Sequence, residues 1–482
     1  MPPLRICVYA FSSTALFFGA LIEECDKHDD LIEWSIIFPQ GHFRHIADGS
    51  IPRERQCYLY EDFTRAYQEC SATEIQRAME SGEGLQTALL KDKVGYRLLN
   101  GDEQLRRGAT MDACYRRFLA RIKPDFIIFP NLEVVDGFVL MNIVNELGIG
   151  VLYYSAMRFL GGGYFSSDLY ETLPRYFGNY TVEDLALARQ TIRDFHDGRP
   201  TDRDNAYPPT LPPKPRWLQR LVLTHWLRWK YERLHATEDN LLMRIRRNIR
   251  PLMMKLWRAR LDLTQAHFFH ITSDHDPLPE KYVLYLLQVT PESSINGVEP
   301  YYVDQFRGID ALLLNLPKGH RLVAKEHPIM CGRRNSSFYR ELRRRPGVVT
   351  AHPAVDTRRL IKHASVVTTI TGTAGLEAYL LGNPCLSFGP NFFSHLCRRP
   401  PALSDLRGVL TELATQWKPP SDTQKEIEIA KLLNVSATFM VTDPWFAPTV
   451  MAPENIKTAR EYLWLHLRRL DEFEHSRHAL AQ

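Results

Sequence analysis

Between residues 282 and 388 the chain alternates short apolar runs with segments of helical period. That alternation constrains the fold more than any other feature. The apolar runs are 282–289, 321–325, 348–350, 365–370 and 384–388, and the helical segments 303–316, 338–345, 356–363 and 375–381 fall between them. Runs of this length without a polar face are buried on both sides. Strands of that kind belong to parallel sheets, which need helical crossovers. The N-terminal part carries a sparser version of the same order. Strand-like runs at 4–10, 32–38, 125–130 and 149–154 go with helical segments at 15–25 and 136–147, and residues 60–120 read as helical and charge-mixed. The fold class expected is α/β, with two Rossmann-like domains facing across a cleft, C-terminal helices and a helical basic insert.

The 482 residues set a prior of two or three domains. With 44% hydrophobic and 24% charged residues the composition is globular, which excludes a disordered or low-complexity chain. A proline-rich linker occupies 198–216, and beyond it the character changes. Residues 214–260 hold 13 Lys/Arg against three acids, with Trp217, Trp226, Trp229 and Trp257. The net charge of +4 is therefore a mildly acidic protein plus one strongly basic segment, and a globally basic nucleic-acid binder is excluded. The segment reads either as an amphipathic element on an anionic membrane surface or as a solvated helical pair with Trp packed on the core. No apolar run is long enough to span a bilayer. The first residues read as strand, turn and helix, not as a signal peptide. The eight cysteines form no CxxC pair, which points to reduced thiols in the cytoplasm and to no zinc ribbon or disulfide scaffold.

Three strand ends carry candidate chemistry. Lys325-Glu326-His327-Pro328 follows the run 321–325. There Lys325 is a point charge and His327 a donor for a phosphate, and Pro328 stops the strand. The bland alternative is a loop that happens to carry a His. After the run 365–370, Thr371-Gly372-Thr373-Ala374 opens a helix with Glu377 one turn inside it. Backbone N–H groups at such a start bind anions, and Glu377 can accept ribose hydroxyls. The alternative has Thr371 capping the helix and Glu377 solvated. The turn is neither a Walker A loop nor GxGxxG. Gln288 and Glu292 mark the third strand end, where they meet a base or sugar or belong to a plain loop.

The runs 282–294, 325–328 and 369–389 together resemble the capsule polysaccharide biosynthesis family, over roughly residues 280–395. That family includes β-Kdo transferases. The resemblance implies a GT-B glycosyltransferase whose best-known donor is a CMP-activated acidic sugar such as Kdo. It assigns the nucleotide phosphate to His327-Pro328 and to the turn 371–374. Thr-Gly-Thr-Ala stands where relatives often show a Ser-Thr or Ser-Ser pair, which leaves nucleotides other than CMP open. The domains then read as 1–197, acceptor; 198–265, linker and insert; 266–404, nucleotide sugar; and 405–482, a helical segment.

GT-B transferases without a metal take the catalytic acid or base from the first domain, where a carboxylate must reach the acceptor hydroxyl. Asp168, Asp136 and Glu171 are the candidates, with Arg158 and Tyr164 for acceptor binding. Residues 135–138 partly echo the family's acidic motif. Gly161-Gly162-Gly163 would make the following loop mobile, a lid. No metal site is expected, because the Asp-x-Asp at 274–276 precedes its strand. Lys325, His327 and the helix start take the place of a divalent cation at the leaving phosphate. No cofactor is expected beyond the nucleotide-sugar co-substrate. The partners expected are a nucleotide sugar and a glycan or lipid-linked glycan acceptor, with no nucleic acid. The place expected is the cytoplasm, peripheral at the inner membrane face on the surface reading of 214–260. Rival readings are a polyol-phosphate transferase, a nucleotide-sugar epimerase and a non-catalytic scaffold of capsule assembly.

Overall fold

The computed structural model describes residues 3–199 and 266–481, apart from 29–30, 40–45, 47–49, 93–98, 291, 331–333, 401, 443 and 445–446. The linker from 200 onward and the Trp-bearing segment 214–260 lie outside the described residues.

The described residues form two α/β units. The first is built on strands β1 (Leu4–Tyr9), β2 (Ile32–Phe38), β3 (Gln56–Tyr58), β4 (Phe126–Phe129), β5 (Gly150–Ala156) and β6 (Gly163–Ser166). Their order in the sheet is β3-β2-β1-β4-β5-β6. All neighbours are parallel except β5 and β6. The helices up to residue 199 are α1 (Thr14–Lys27), α2 (Leu59–Glu69), α3 (Ala72–Glu80), α4 (Leu85–Lys91), α5 (Gly101–Ile122), α6 (Val135–Glu146) and α7 (Val182–Asp197). Residues 6–9 and 34–38 are buried on both faces of the sheet, as a parallel sheet between helices requires. Helix α5 starts where Asn100 Oδ1 accepts from the Glu103 amide at 2.8 Å and stops at Lys123 in the left-handed region.

The second unit holds β7 (Tyr282–Leu286), β8 (Arg321–Lys325), β9 (Val348–Ala351), β10 (Val366–Thr369) and β11 (Cys385–Ser387). All are parallel, in the order β11-β10-β7-β8-β9. After β7 comes the single turn α8 (Ser293–Asn296). The crossovers are α9 (Gln305–Asn315), α10 (Ser336–Arg344), α11 (Thr357–His363) and α12 (Ala374–Leu381). Helices α13 (Leu406–Gln416), α14 (Asp422–Asn434) and α15 (Pro453–Ala481) follow. Among the described residues no helix is long and apolar enough to cross a membrane.

The division between the units does not follow chain order. Residues 292–300 and 422–481 group with the N-terminal unit, whereas α13 groups with the second. Arg189 of α7 pairs with Glu426 of α14 at 2.8 Å.

The sequence reading missed β6, and the lid expected at residues 161–163 is corrected by it. Gly163 exchanges backbone hydrogen bonds with Ala437, its N–H donating at 2.9 Å and its carbonyl accepting at 3.0 Å. Gly162 has φ 96°, and a Cβ there would lie 2.0 Å from the Ala437 carbonyl oxygen. The glycines are there for close approach of two backbones, which pins the segment.

Candidate functional site

In the second unit the carboxyl ends of β7, β8 and β10 bring together most of the residues singled out for a donor. Glu326 is the hub. Its side chain is fully buried and accepts from His327 N at 2.7 Å, Arg334 Nε at 2.7 Å and Tyr339 OH at 2.8 Å. Arg334 also donates to Thr290 Oγ1 at 3.3 Å and to the Gln288 carbonyl, and lies 4.8 Å above the Phe338 ring. The pair therefore ties the loop after β7 to the end of β8. Sequence reasoning gave neither residue a role. Glu326 stood inside a noticed motif, and Arg334 carried no local signal.

His327 is half-buried. Its Nδ1 accepts from the Ile329 amide at 3.2 Å, so the ring proton belongs on Nε2. Pro328 closes the strand and opens the short turn Pro328–Met330. Lys325, expected as a point charge for a phosphate, is buried at the end of β8. It is 3% exposed, and its Nζ donates to the Pro353 carbonyl at 3.1 Å. Burial lowers its pKa to about 8, opposed by the charges of Glu326, Asp356, Glu377 and Asp274.

The turn after β10 is organised by Thr369. Its Oγ1 accepts from the Gly372 amide at 2.9 Å and from Gln288 Nε2 at 3.2 Å. A Cβ on Gly372 would sit 2.8 Å from that hydroxyl oxygen and 3.2 Å from Gln288 Nε2, so only glycine lets the turn lie on the strand end. The capping reading of Thr371 is corrected. Thr373 is the residue before α12, and its side chain makes no capping hydrogen bond. Among the described residues no acceptor takes the amides of Thr373 and Ala374. Thr371 is buried, and Thr373 and Glu377 are half-buried. Gln288, Thr369, the turn 371–374, Glu326 and His327 thus converge, with the start of α12 offering N–H groups and its positive dipole end.

Glu292 belongs to the N-terminal unit and accepts from Ser294 Oγ at 2.9 Å. Its charge acts on Glu133 and Arg158. Glu133 lies past the end of β4 and accepts from Asn131 Nδ2 at 2.8 Å. Desolvation and then the Glu292 charge raise its pKa, against the Asn131 hydrogen bond, although the residue as a whole is exposed.

Asp136 sits in the first turn of α6, where Tyr9 OH donates to its Oδ2 at 2.8 Å. Burial raises its pKa to about 6, against the Tyr9 hydrogen bond and the amides of Asp136 and Gly137. Arg158 and Glu171 form an ion pair at 3.3 Å, and both residues have positive φ, 51° and 58°. Tyr164 is buried, and its hydroxyl donates to the Glu171 carbonyl. Asp168 is committed to a turn, its Oδ1 accepting from the amides of Tyr170 at 2.9 Å and Thr172 at 3.3 Å. Among the described residues no hydrogen bond or ion pair links Asp168 to Asp136 or Glu171. Asp276 likewise serves its own turn, accepting from Thr272 N at 2.6 Å and Ser273 N at 3.0 Å.

The first unit thus carries a carboxylic acid poised near neutrality and a cluster of Glu133, Arg158, Glu171 and Glu292. The second carries a strand-end cradle suited to an anion. The solved structures that the chain is similar to include KpsC, a beta Kdo 2,4 transferase of Thermosulfurimonas dismutans. It shows 13% identity and a TM-score of 0.35, covering 64% of this chain and 79% of that one. The UDP-GlcNAc 2-epimerase of Methanocaldococcus jannaschii shows 11% and 0.26, covering 89% and 99%. HepE of Anabaena, in complex with UDP and glucose, shows 10% and 0.29, covering 97% and 100%. No curated protein matches the chain. Residues 233–397 match the model of the family described as capsule polysaccharide biosynthesis protein, and over that stretch the chain resembles this family.

Proposed function

We propose that the protein is a glycosyltransferase of bacterial capsule or surface polysaccharide assembly. It moves a sugar from a nucleotide donor onto a glycan or lipid-linked glycan, and Kdo or another acidic sugar on CMP is the favoured donor. The observation that carries this reading is the convergence of His327, Gln288, Thr369 and the open amides of Thr373 and Ala374, within the stretch that matches the family. His327 Nε2–H and the amides at the start of α12 hold the leaving phosphate, with Lys325 adding positive field. Such donors, fixed before the reaction, stabilise negative charge without a divalent cation. Asp136 takes the acceptor proton, since a carboxyl poised near pH 6 is matched to that task. Arg158 and Tyr164, on the same unit, serve the acceptor, and Glu171 orients Arg158. The basic segment 214–260 adds a place for an anionic membrane surface near a lipid-linked acceptor. The protein works in the cytoplasm, against the inner membrane face.

A thermal-shift panel of CMP, CDP, UDP, GDP and ADP tests the donor half. Stabilisation grows with ligand concentration over its dissociation constant, and CMP or CDP should lead. A flat response to all five would sink the reading. Product analysis with a nucleotide sugar then separates transfer from epimerisation, because an epimerase converts its donor without acceptor.

A further inference from the structure

The eight cysteines lack any local pairing signal, yet the fold brings two of them to one point. Cys385 opens β11, and Cys397 follows the short turn Ser394–Leu396. Residues 386 and 398 form a parallel bridge. Arg398 N donates to the Cys385 carbonyl at 2.8 Å, and Ser387 N donates to the Arg398 carbonyl at 2.9 Å. In a parallel ladder the residues one step earlier, 385 and 397, lie side by side with their side chains on the same face. Adjacent strands run about 4.8 Å apart, inside the ~4.4–6.8 Å Cα separation a disulfide requires. The sulfurs agree. A Cβ built on Gly375 would lie 2.9 Å from Cys385 Sγ and 3.0 Å from Cys397 Sγ, so their separation cannot exceed the sum of those distances. Gly375 is in the first turn of α12.

We propose that Cys385 and Cys397 form a thiol-oxidation site, which a hydroperoxide converts to a disulfide packed against the first turn of α12. Cys397 is half-buried and Cys385 is buried, so the oxidant meets Cys397 first. The Cys397 sulfur attacks the peroxide, its S–H proton leaves with the departing oxygen as water or alcohol, and a sulfenic acid is left. The Cys385 sulfur then attacks the Cys397 sulfur. The S–O bond breaks, the Cys385 proton joins the hydroxyl, and water leaves as the S–S bond forms. The peroxide accepts the two electrons that the thiols give up. The Cys397 thiol and burial hold the Cys385 pKa well above the usual thiol range, which disfavours Cys385 for first attack on the oxidant.

The consequence for the start of α12 rests on the phosphate role proposed above. Drawing the sulfurs to bonding distance moves groups against Gly375, next to the amides of Thr373 and Ala374, and so changes nucleotide affinity.

The test uses the full-length protein treated with hydrogen peroxide, alkylated and digested without reductant. A crosslinked peptide joining residues 385 and 397 is expected, reversed by dithiothreitol and absent in Cys397→Ser. Cys70, a free thiol half-buried like Cys397, reports that the oxidant reached the protein. Oxidation of Cys70 without the crosslink, or Cys397 driven to sulfinic acid while Cys385 stays reduced, overturns the proposal. If Cys397→Ser fails to fold, Cys385→Ala serves, and the wild-type crosslink decides in either case. A severalfold difference in nucleotide affinity between oxidised and reduced protein is expected. A crosslink with unchanged affinity overturns the coupling alone. Nucleotide binding by the reduced protein tests the transferase reading separately.

Discussion

Arg334 Nε lies 2.7 Å from Glu326 Oε2, with both side chains buried and Tyr339 OH on the same carboxylate oxygen. Removing one member of such a pair leaves an uncompensated charge in a low-dielectric site. Arg334→Ala should therefore cost roughly 3–5 kcal/mol in urea unfolding. Arg334→Met combined with Glu326→Gln should recover a large part of that loss. Strictly additive costs in the double-mutant cycle would show that the two residues do not act as a unit.

His327 faces a different test because its side chain is only half-buried. Losing one hydrogen bond to a charged phosphate costs about 1.5–3 kcal/mol, or roughly 10- to 150-fold in affinity. His327→Ala should weaken nucleotide binding by that factor in titration calorimetry and leave the unfolding midpoint nearly unchanged. Equal nucleotide affinity in the variant and wild type would remove His327 from the phosphate site.

The second sheet was largely legible from residues 282–388, because strands buried on both faces leave a continuous apolar signal. β8 falls on the expected residues, and β9 and β10 within a residue or two at each end. β6 was not legible. It is four residues long, antiparallel to β5, and held by Ala437 far along the chain. The site divides in the same way. His327 and Gly372 sit in local motifs, whereas Arg334 and the Cys385–Cys397 approach arise only from tertiary placement. Asp168 stands between the two: its place in a glycine-rich loop is read from the sequence, whereas the acceptance of the Tyr170 and Thr172 amides by its Oδ1 comes from the fold.

Asp136 carries a prediction with two readouts. Its folded pKa of about 6 lies above the unfolded value, so its carboxyl favours the protonated form. The associated stability is fully present below about pH 3.9 and is lost as pH rises through 6. Asp136→Asn should therefore raise stability at pH 7.5 by about 1–3 kcal/mol and have no such effect near pH 4. In the proposed reaction the working form is the carboxylate, so kcat/KM should rise with pH through about 6 in the wild type. Asp136→Asn should bind nucleotide normally and lose turnover. A fully active Asp136→Asn would exclude this residue as the base.

His466 of α15 gives the opposite pH dependence. Its side chain is buried, Tyr176 OH and Nδ1 are 2.8 Å apart, and the Phe165 and Tyr462 rings pack around it. Burial lowers its pKa to about 4, and the nearby Arg469 charge adds to this. A depressed folded pKa means stability that is present above the unfolded value of about 6.5 and is lost as pH falls through 4. The loss is at most about 3 kcal/mol, from the pKa difference at 1.36 kcal/mol per unit. It falls on the attachment of α15 to β6 and Tyr176, because His466 must charge among aromatic rings. Thermal melts of the wild type should shift downward between pH 6.5 and 4. His466→Phe should melt lower at pH 7.5, where the Tyr176 hydroxyl loses one of its partners, and show a shallower decline towards pH 4. Parallel declines in the two proteins would assign the acid sensitivity to other groups.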